Sequence, residues 1–152
     1  MATEIKNVAV LGGGLMGTGI AQVVAVGGYR VSVYDIAEAI LAKSQGTVAK
    51  QLNGAVAKGR MIQEDAKNAL ERISFTIDLK TAVGDADYII EAVPEILDLK
   101  KKILAEVDDL AKMTAVFASN TSELSIELLA SATGRKDRVI GTHWFYPPHI
   151  MR

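Results

Sequence analysis

Gly12-Gly13-Gly14-Leu15-Met16-Gly17 has the spacing G-x-G-x-x-G and lies between a short apolar run, Val8-Ala9-Val10-Leu11, and a stretch of helical length, Leu15 to Val26. That arrangement suits the binding of a pyrophosphate. The first glycine, Gly12, permits a tight turn, and the second, Gly14, lets backbone approach the phosphates. The third, Gly17, allows a helix to pack closely on a strand. N–H groups at the helix start, Leu15 and Met16 among them, would hold the anion together with the helix dipole. Asp35 ends a second β-prone run, Val31-Ser32-Val33-Tyr34, 18 residues after Gly17. Its position is close to that of the acidic residue that holds the adenine ribose hydroxyls, and its charge would repel a 2′-phosphate. Ile36-Ala37-Glu38 supplies no cation to receive one. The expected cofactor is NAD rather than NADP.

Two further segments carry reactive side chains: Ala118-Ser119-Asn120-Thr121-Ser122 and Gly141-Thr142-His143-Trp144-Phe145-Tyr146-Pro147-Pro148. Each follows a strand signal, so each lies at a strand C-terminus, where open α/β sheets bind ligands. An imidazole there can exchange a proton near neutrality. A histidine ending a strand also serves structure alone. Asn120 with Glu123 three residues on has the form of a capping box, which would place Ser122 in the first turn of a helix.

The elements that must position these residues follow from apolar periodicity. Residues 5–35 read as strand, glycine turn, helix and strand, the helix stopping at Gly27-Gly28. From Ala37 to Arg72 no strand signal appears; Ile40, Leu41, Val48, Leu52 and Val56 recur at roughly helical spacing, and Gln63 to Leu70 reads as a second helix. A bare crossover needs only about a dozen residues. The region is therefore expected to carry a helical hairpin projecting from the sheet. Strands are expected at 73–76, 88–90, 115–118 and 139–142, with helices at 97–111 and 123–130. The expected fold is α/β: a Rossmann-type, doubly wound, mostly parallel sheet with a helical hairpin inserted after the second strand.

The 152 residues suffice for one domain, here 1–152. With 17 basic and 18 acidic side chains, the chain offers no basic patch for nucleic acid and no polybasic membrane anchor. No stretch is long and apolar enough to span a bilayer. With no cysteine, neither a disulfide nor a thiolate metal site is available, and no metal is expected. Met1 to Lys6 lacks the order of a signal peptide, so a cytoplasmic protein is expected. The ending at Ile150-Met151-Arg152, without a turn or polar tail, reads as cut.

From Lys6 to Arg152 the chain resembles the NAD-binding domain of 3-hydroxyacyl-CoA dehydrogenases, the 3-hydroxybutyryl-CoA enzymes included. Three linked motifs carry the resemblance: the glycine turn continued by Thr18-Gly19-Ile20-Ala21-Gln22, the Ser119–Ser122 segment, and Arg138 to Phe145. It implies hydride transfer between C3 of a 3-hydroxyacyl-CoA, or the matching 3-ketoacyl-CoA, and NAD, in fatty-acid or butanoate metabolism. His143 falls where the family has its catalytic histidine. Ser122 matches the serine that hydrogen-bonds near the reacting oxygen and the nicotinamide, and Asn120 belongs with the same cofactor-binding segment. Glu95 and Lys100 match positions that contact NAD; Lys100 with Lys101 and Lys102 also has the form of a solvated face. Lys58 matches a lysine that contacts CoA, on a hairpin made mildly basic by Lys43, Lys50 and Arg60.

The chain departs from the family pattern in places. Tyr146 stands where an asparagine is frequent, and Gln51 where some members have a serine near CoA. His149 has no counterpart. The carboxylate that orients the family's histidine comes about a dozen residues after it, whereas nine residues follow His143 here. The helical domain that closes the substrate cleft and forms the homodimer is expected to be absent from this chain, which alone should bind NAD and turn over poorly. Two alternatives stay open. One is a non-catalytic NAD(H)-binding module, a redox sensor or partner-binding domain. The other is a β-hydroxyacid dehydrogenase of the 6-phosphogluconate kind, which relies on a lysine and leaves the His143 segment unused.

Overall fold

A computed structural model describes residues 4–151; Met1 to Thr3 and Arg152, on which the readings of the two chain ends partly rest, lie outside it. Six strands form one sheet in the order β3-β2-β1-β4-β5-β6, with every pairing parallel. They are β1 (Asn7–Leu11), β2 (Arg30–Tyr34), β3 (Ile73–Thr76), β4 (Tyr88–Glu91), β5 (Val116–Ser119) and β6 (Val139–Gly141). The helices are α1 (Leu15–Val26), α2 (Glu38–Ala57), α3 (Gln63–Glu71), α4 (Leu79–Val83), α5 (Leu97–Leu110) and α6 (Ile126–Ala130), with a 3-10 turn at Lys136–Arg138.

Strand β1 is apolar on both faces because both are covered. Val8 and Val10 pack with α1, α2 and α3, whereas Ala9 and Leu11 pack with α4, α5 and α6. Chain order turns back at β1: β2 and β3 lie to one side, β4, β5 and β6 to the other. The crevice above the C-terminal ends of β1 and β4 is thus the topological switch point, where ligands bind in such sheets.

Two expectations change, and one short helix was not anticipated. The hairpin does not project. Leu41, Val48 and Leu52 of α2 and Ala66 and Ala69 of α3 enter the same core as α1, because an apolar stripe of that length must be buried. The helix expected from Glu123 begins instead at Ile126, capped by Ser125, whose Oγ accepts the Leu128 N–H at 3.3 Å. Residues 122–124 form a bend, with Thr121 Oγ1 accepting the Leu124 N–H at 2.9 Å, and among the described residues no capping box joins Asn120 to Glu123. Short α4 escaped the sequence pattern; its five residues span little more than one turn, capped by Asp78.

Among the described residues no helix is long and apolar enough to cross a membrane.

Candidate functional site

The glycine turn is built as its spacing requires, and each glycine answers to a different neighbour. Gly12 has φ +104°, and a Cβ there would stand 2.7 Å from the Ala92 carbonyl oxygen. A Cβ at Gly17 would meet the Gly12 carbonyl oxygen at 1.7 Å, so helix and strand approach as closely as backbone allows. Gly14 is different. Its φ is −69°, and a Cβ would find nothing within 4 Å. Nothing inside the protein demands glycine at 14, whereas a phosphate group lying on the turn does. Lacking a side chain, Gly14 also leaves the first turn of α1 uncapped, its amides at Leu15, Met16 and Gly17 available to an anion. These features fit a dinucleotide. The Met16 side chain packs on the core, while Leu15 is exposed beside the turn.

Asp35 braces this turn as well as facing it. Oδ2 accepts the Gly13 N–H at 2.9 Å and Oδ1 the Ala37 N–H at 3.1 Å. Each carboxylate oxygen keeps a lone pair for a ribose hydroxyl.

Across the crevice, β5 and β6 deliver the other two motifs side by side. Thr142 N–H donates to the Ser119 carbonyl at 2.9 Å, and the Trp144 N–H donates to Asn120 Oδ1 at 2.8 Å. With the two segments clamped, Ser122 Oγ lies 3.0 Å from His143 Nε2. The His143 ring rests against Phe145, centroids 4.7 Å apart. Asn120 therefore spends its carbonyl oxygen on the clamp.

Glu95 and Lys100 act as a pair. Thr121 Oγ1 and the Ser122 N–H both donate to Glu95 Oε1, the latter at 3.1 Å. Burial opposes ionisation of Glu95, but bonds from Thr121 and Lys100, the Lys100 charge and the Ser122 amide outweigh it and hold the carboxyl below its ordinary value. Lys100 is only 1% exposed. Its Nζ lies 2.7 Å from Glu91 Oε1, 3.0 Å from Glu95 Oε2 and 3.2 Å from the Val93 carbonyl, which accounts for all three protons. The solvated-face reading of Lys100 is overturned, and its ammonium is committed to protein partners. The signal was present: Lys100 stands in register with Ile103, Leu104 and Val107, the stripe that α5 turns toward the sheet.

Glu91 and Ser119 were missed. Glu91 is fully buried at the end of β4, and Ser119 Oγ donates to its Oε2 at 2.5 Å. A lone carboxylate closing an apolar strand, the pattern that exposed Asp35, would have found it.

The remaining candidates line clefts beside α2. Tyr146 borders a cavity of about 240 Å³ with Gly13, Gly14, Lys43 and Gln51. Lys58, Lys50 and Arg60 rim a larger cleft of about 890 Å³ between α1, α2 and residues 148–151. Gln51 and His149 line both, and Pro148 and Met151 stand in the walls of both the larger cleft and the hollow around His143. The structure thus puts the glycine turn, Asp35, Glu95, Asn120, Ser122 and His143 at the C-terminal edge of one sheet, with Lys58 in a cleft beside α2.

Residues 7–152 match the family model for the 3-hydroxyacyl-CoA dehydrogenase NAD binding domain. The chain is 40% identical over 154 residues to the mitochondrial hydroxyacyl-coenzyme A dehydrogenase of Sus scrofa, covering 97% of this chain and 49% of the relative. It is 38% identical over 152 residues to a 3-hydroxybutyryl-CoA dehydrogenase of Mycobacterium tuberculosis, covering 99% and 53%. Among solved structures, (S)-3-hydroxybutyryl-CoA dehydrogenase from Ralstonia eutropha superposes with a TM-score of 0.93 at 40% identity, over 97% of this chain and 52% of that one. The chain spans about half the length of these relatives, and a fifth of an Arabidopsis thaliana multifunctional protein that it also resembles.

Proposed function

The chain belongs to the 3-hydroxyacyl-CoA dehydrogenase NAD-binding domain family, and from that premise we propose that the whole protein oxidises a 3-hydroxyacyl-CoA, or reduces the 3-ketoacyl-CoA. The observation that carries the reading is the Ser122–His143 contact of 3.0 Å beyond the C-terminal ends of β5 and β6, on the same edge of the sheet as the glycine turn. NAD, when bound, supplies the hydride acceptor. The first-turn amides of α1 hold its pyrophosphate, and Asp35 accepts from its adenine ribose. On the opposite side His143 takes the proton of the substrate's 3-hydroxyl as hydride leaves C3. The substrate oxygen would come between the two groups: Ser122 Oγ, its one proton turned away from the imidazole, would donate to it and keep it beside Nε2. The Glu95 side chain and the Asn120 amide border the nicotinamide end.

Lys58, with Lys50 and Arg60, receives a phosphate of CoA at the rim of the larger cleft, which shares Pro148 and Met151 with the hollow around His143. A helical substrate and dimerisation domain beyond these residues completes the cleft, as the greater length of the relatives supports. We further place the homodimer in the cytoplasm, away from membranes and nucleic acid, in keeping with the balanced charge.

The chain alone is tested by fluorescence titration with NADH and NADPH: tight NADH and weak NADPH binding is expected, and no binding of either sinks the reading. In the whole protein, acetoacetyl-CoA should drive loss of NADH absorbance, and His143→Ala should cut turnover by about 10² to 10⁴ while NADH still binds. NADH binding by a whole protein inert toward acyl-CoA would mean a non-catalytic module instead.

A further inference from the structure

Glu91 and its partner Lys100 are buried charges near the crevice for which the proposed chemistry has no use, and Glu91 is the more deeply set of the two. It closes β4 between Leu11 of β1 and Ser119 of β5, fully enclosed. Its Oε1 accepts Lys100 Nζ at 2.7 Å and the Val93 N–H at 2.8 Å; its Oε2 accepts Ser119 Oγ. Its own carbonyl accepts the Asn120 N–H at 2.9 Å. Bonds therefore run without a break from Glu91 to Lys100, to Glu95, to Ser122 and to His143. The same β4–α5 loop packs against Gly12 through Ala92. A buried ion pair is a poor stabiliser, and well-packed apolar side chains would hold α5 on the sheet at least as well. Direction is what the charges add.

We propose that Glu91 is a positioning residue: from inside the sheet it fixes the Lys100 ammonium, and through it the Glu95 carboxylate that sets Ser122 against His143. This rests on the reading of Ser122 and His143 as the reaction centre. Removing Glu91 and Lys100 together deletes both buried charges at constant net charge, so the core survives while Glu95 loses its anchor. In the variant Glu91→Gln/Lys100→Met, the amide of Val10 in β1 should keep its hydrogen-exchange protection. The Ser122 amide should lose its own, and NADH affinity should fall about tenfold. Parent-like Ser122 protection and NADH affinity in that variant would overturn the proposal. Should the double variant not fold, Glu91→Asp decides, because it keeps the charge and withdraws it by one methylene. Selective loss of Ser122 protection sustains the role, and protection that follows Val10 removes it. Failure of the parent chain to bind NADH would count against the functional reading instead; the Ser122 amide still judges the positioning.

Discussion

At the scale of single residues, glycines of one motif separate into those the protein needs and those a ligand needs. Gly17→Ala drives a Cβ into the Gly12 carbonyl at 1.7 Å and must push helix from strand; a thermal melt should show a loss of several degrees or no folded state. Gly14→Ala meets nothing within 4 Å, at a φ any residue adopts. It should melt with the parent yet bind NADH about tenfold or more weakly, and a Gly14→Ala chain with parent affinity would deny the turn its phosphate. Asp35 carries the choice of nucleotide. Asp35→Ser removes the charge that repels a 2′-phosphate, so the ratio of NADH to NADPH affinity should fall about tenfold or more in paired titrations. Some general destabilisation comes with it, because Asp35 also holds the Gly13 and Ala37 amides.

Elements answer a different question: what keeps those residues at the crevice. Helix α2 would be dispensable if the hairpin stood clear of the sheet. Leu52 is 1% exposed in the core shared with α1. Leu52→Ala should therefore cost about 2–5 kcal/mol in denaturant unfolding, against a few tenths for a free-standing hairpin. Helix α5 shows the limit of reading charge as exposure. Its three consecutive lysines have one residue on the buried stripe, and periodicity outranks composition in deciding which. What periodicity does not supply is the partner, because Glu91 lies nine positions back on another element.

For the molecule as a whole, the N-terminal ends of the neighbouring strands β1 and β4 are tied by a carboxylate far from the chemistry. Asp87, just before β4, accepts the Lys6 and Asn7 amides at 2.9 and 3.0 Å and pairs with Lys112 at 3.0 Å. Burial raises its pKa, yet the two amides and Lys112 prevail and hold it below the ordinary carboxylate value. A depressed folded-state pKa gives stability that is present above the unfolded value and lost as pH falls through the folded one. Glu95 contributes with the same sign. Stability should thus decline with pH below about 4. Asp87→Asn should lower the melting temperature near neutrality, and the gap to the parent should narrow as pH falls below about 4, a convergence that calorimetry across that range would reveal.

Local sequence was enough for whatever depends on neighbours along the chain. The glycine turn, Asp35 at a strand end, the β-α-β order and the extent of α1 are consequences of spacing and periodicity, and each stands where those rules put it. Parallel strands with apolar faces must be covered by helices, so even the fold class was legible. Contacts across the sheet were not. That Glu91, Lys100 and Glu95 form one buried chain, that Asn120 clamps Trp144 rather than capping a helix, and that the hairpin lies against α1 depend on which elements become neighbours. Adjacency of that kind is set by packing over the whole domain, because a buried charge or an apolar stripe takes its partner wherever the fold brings one.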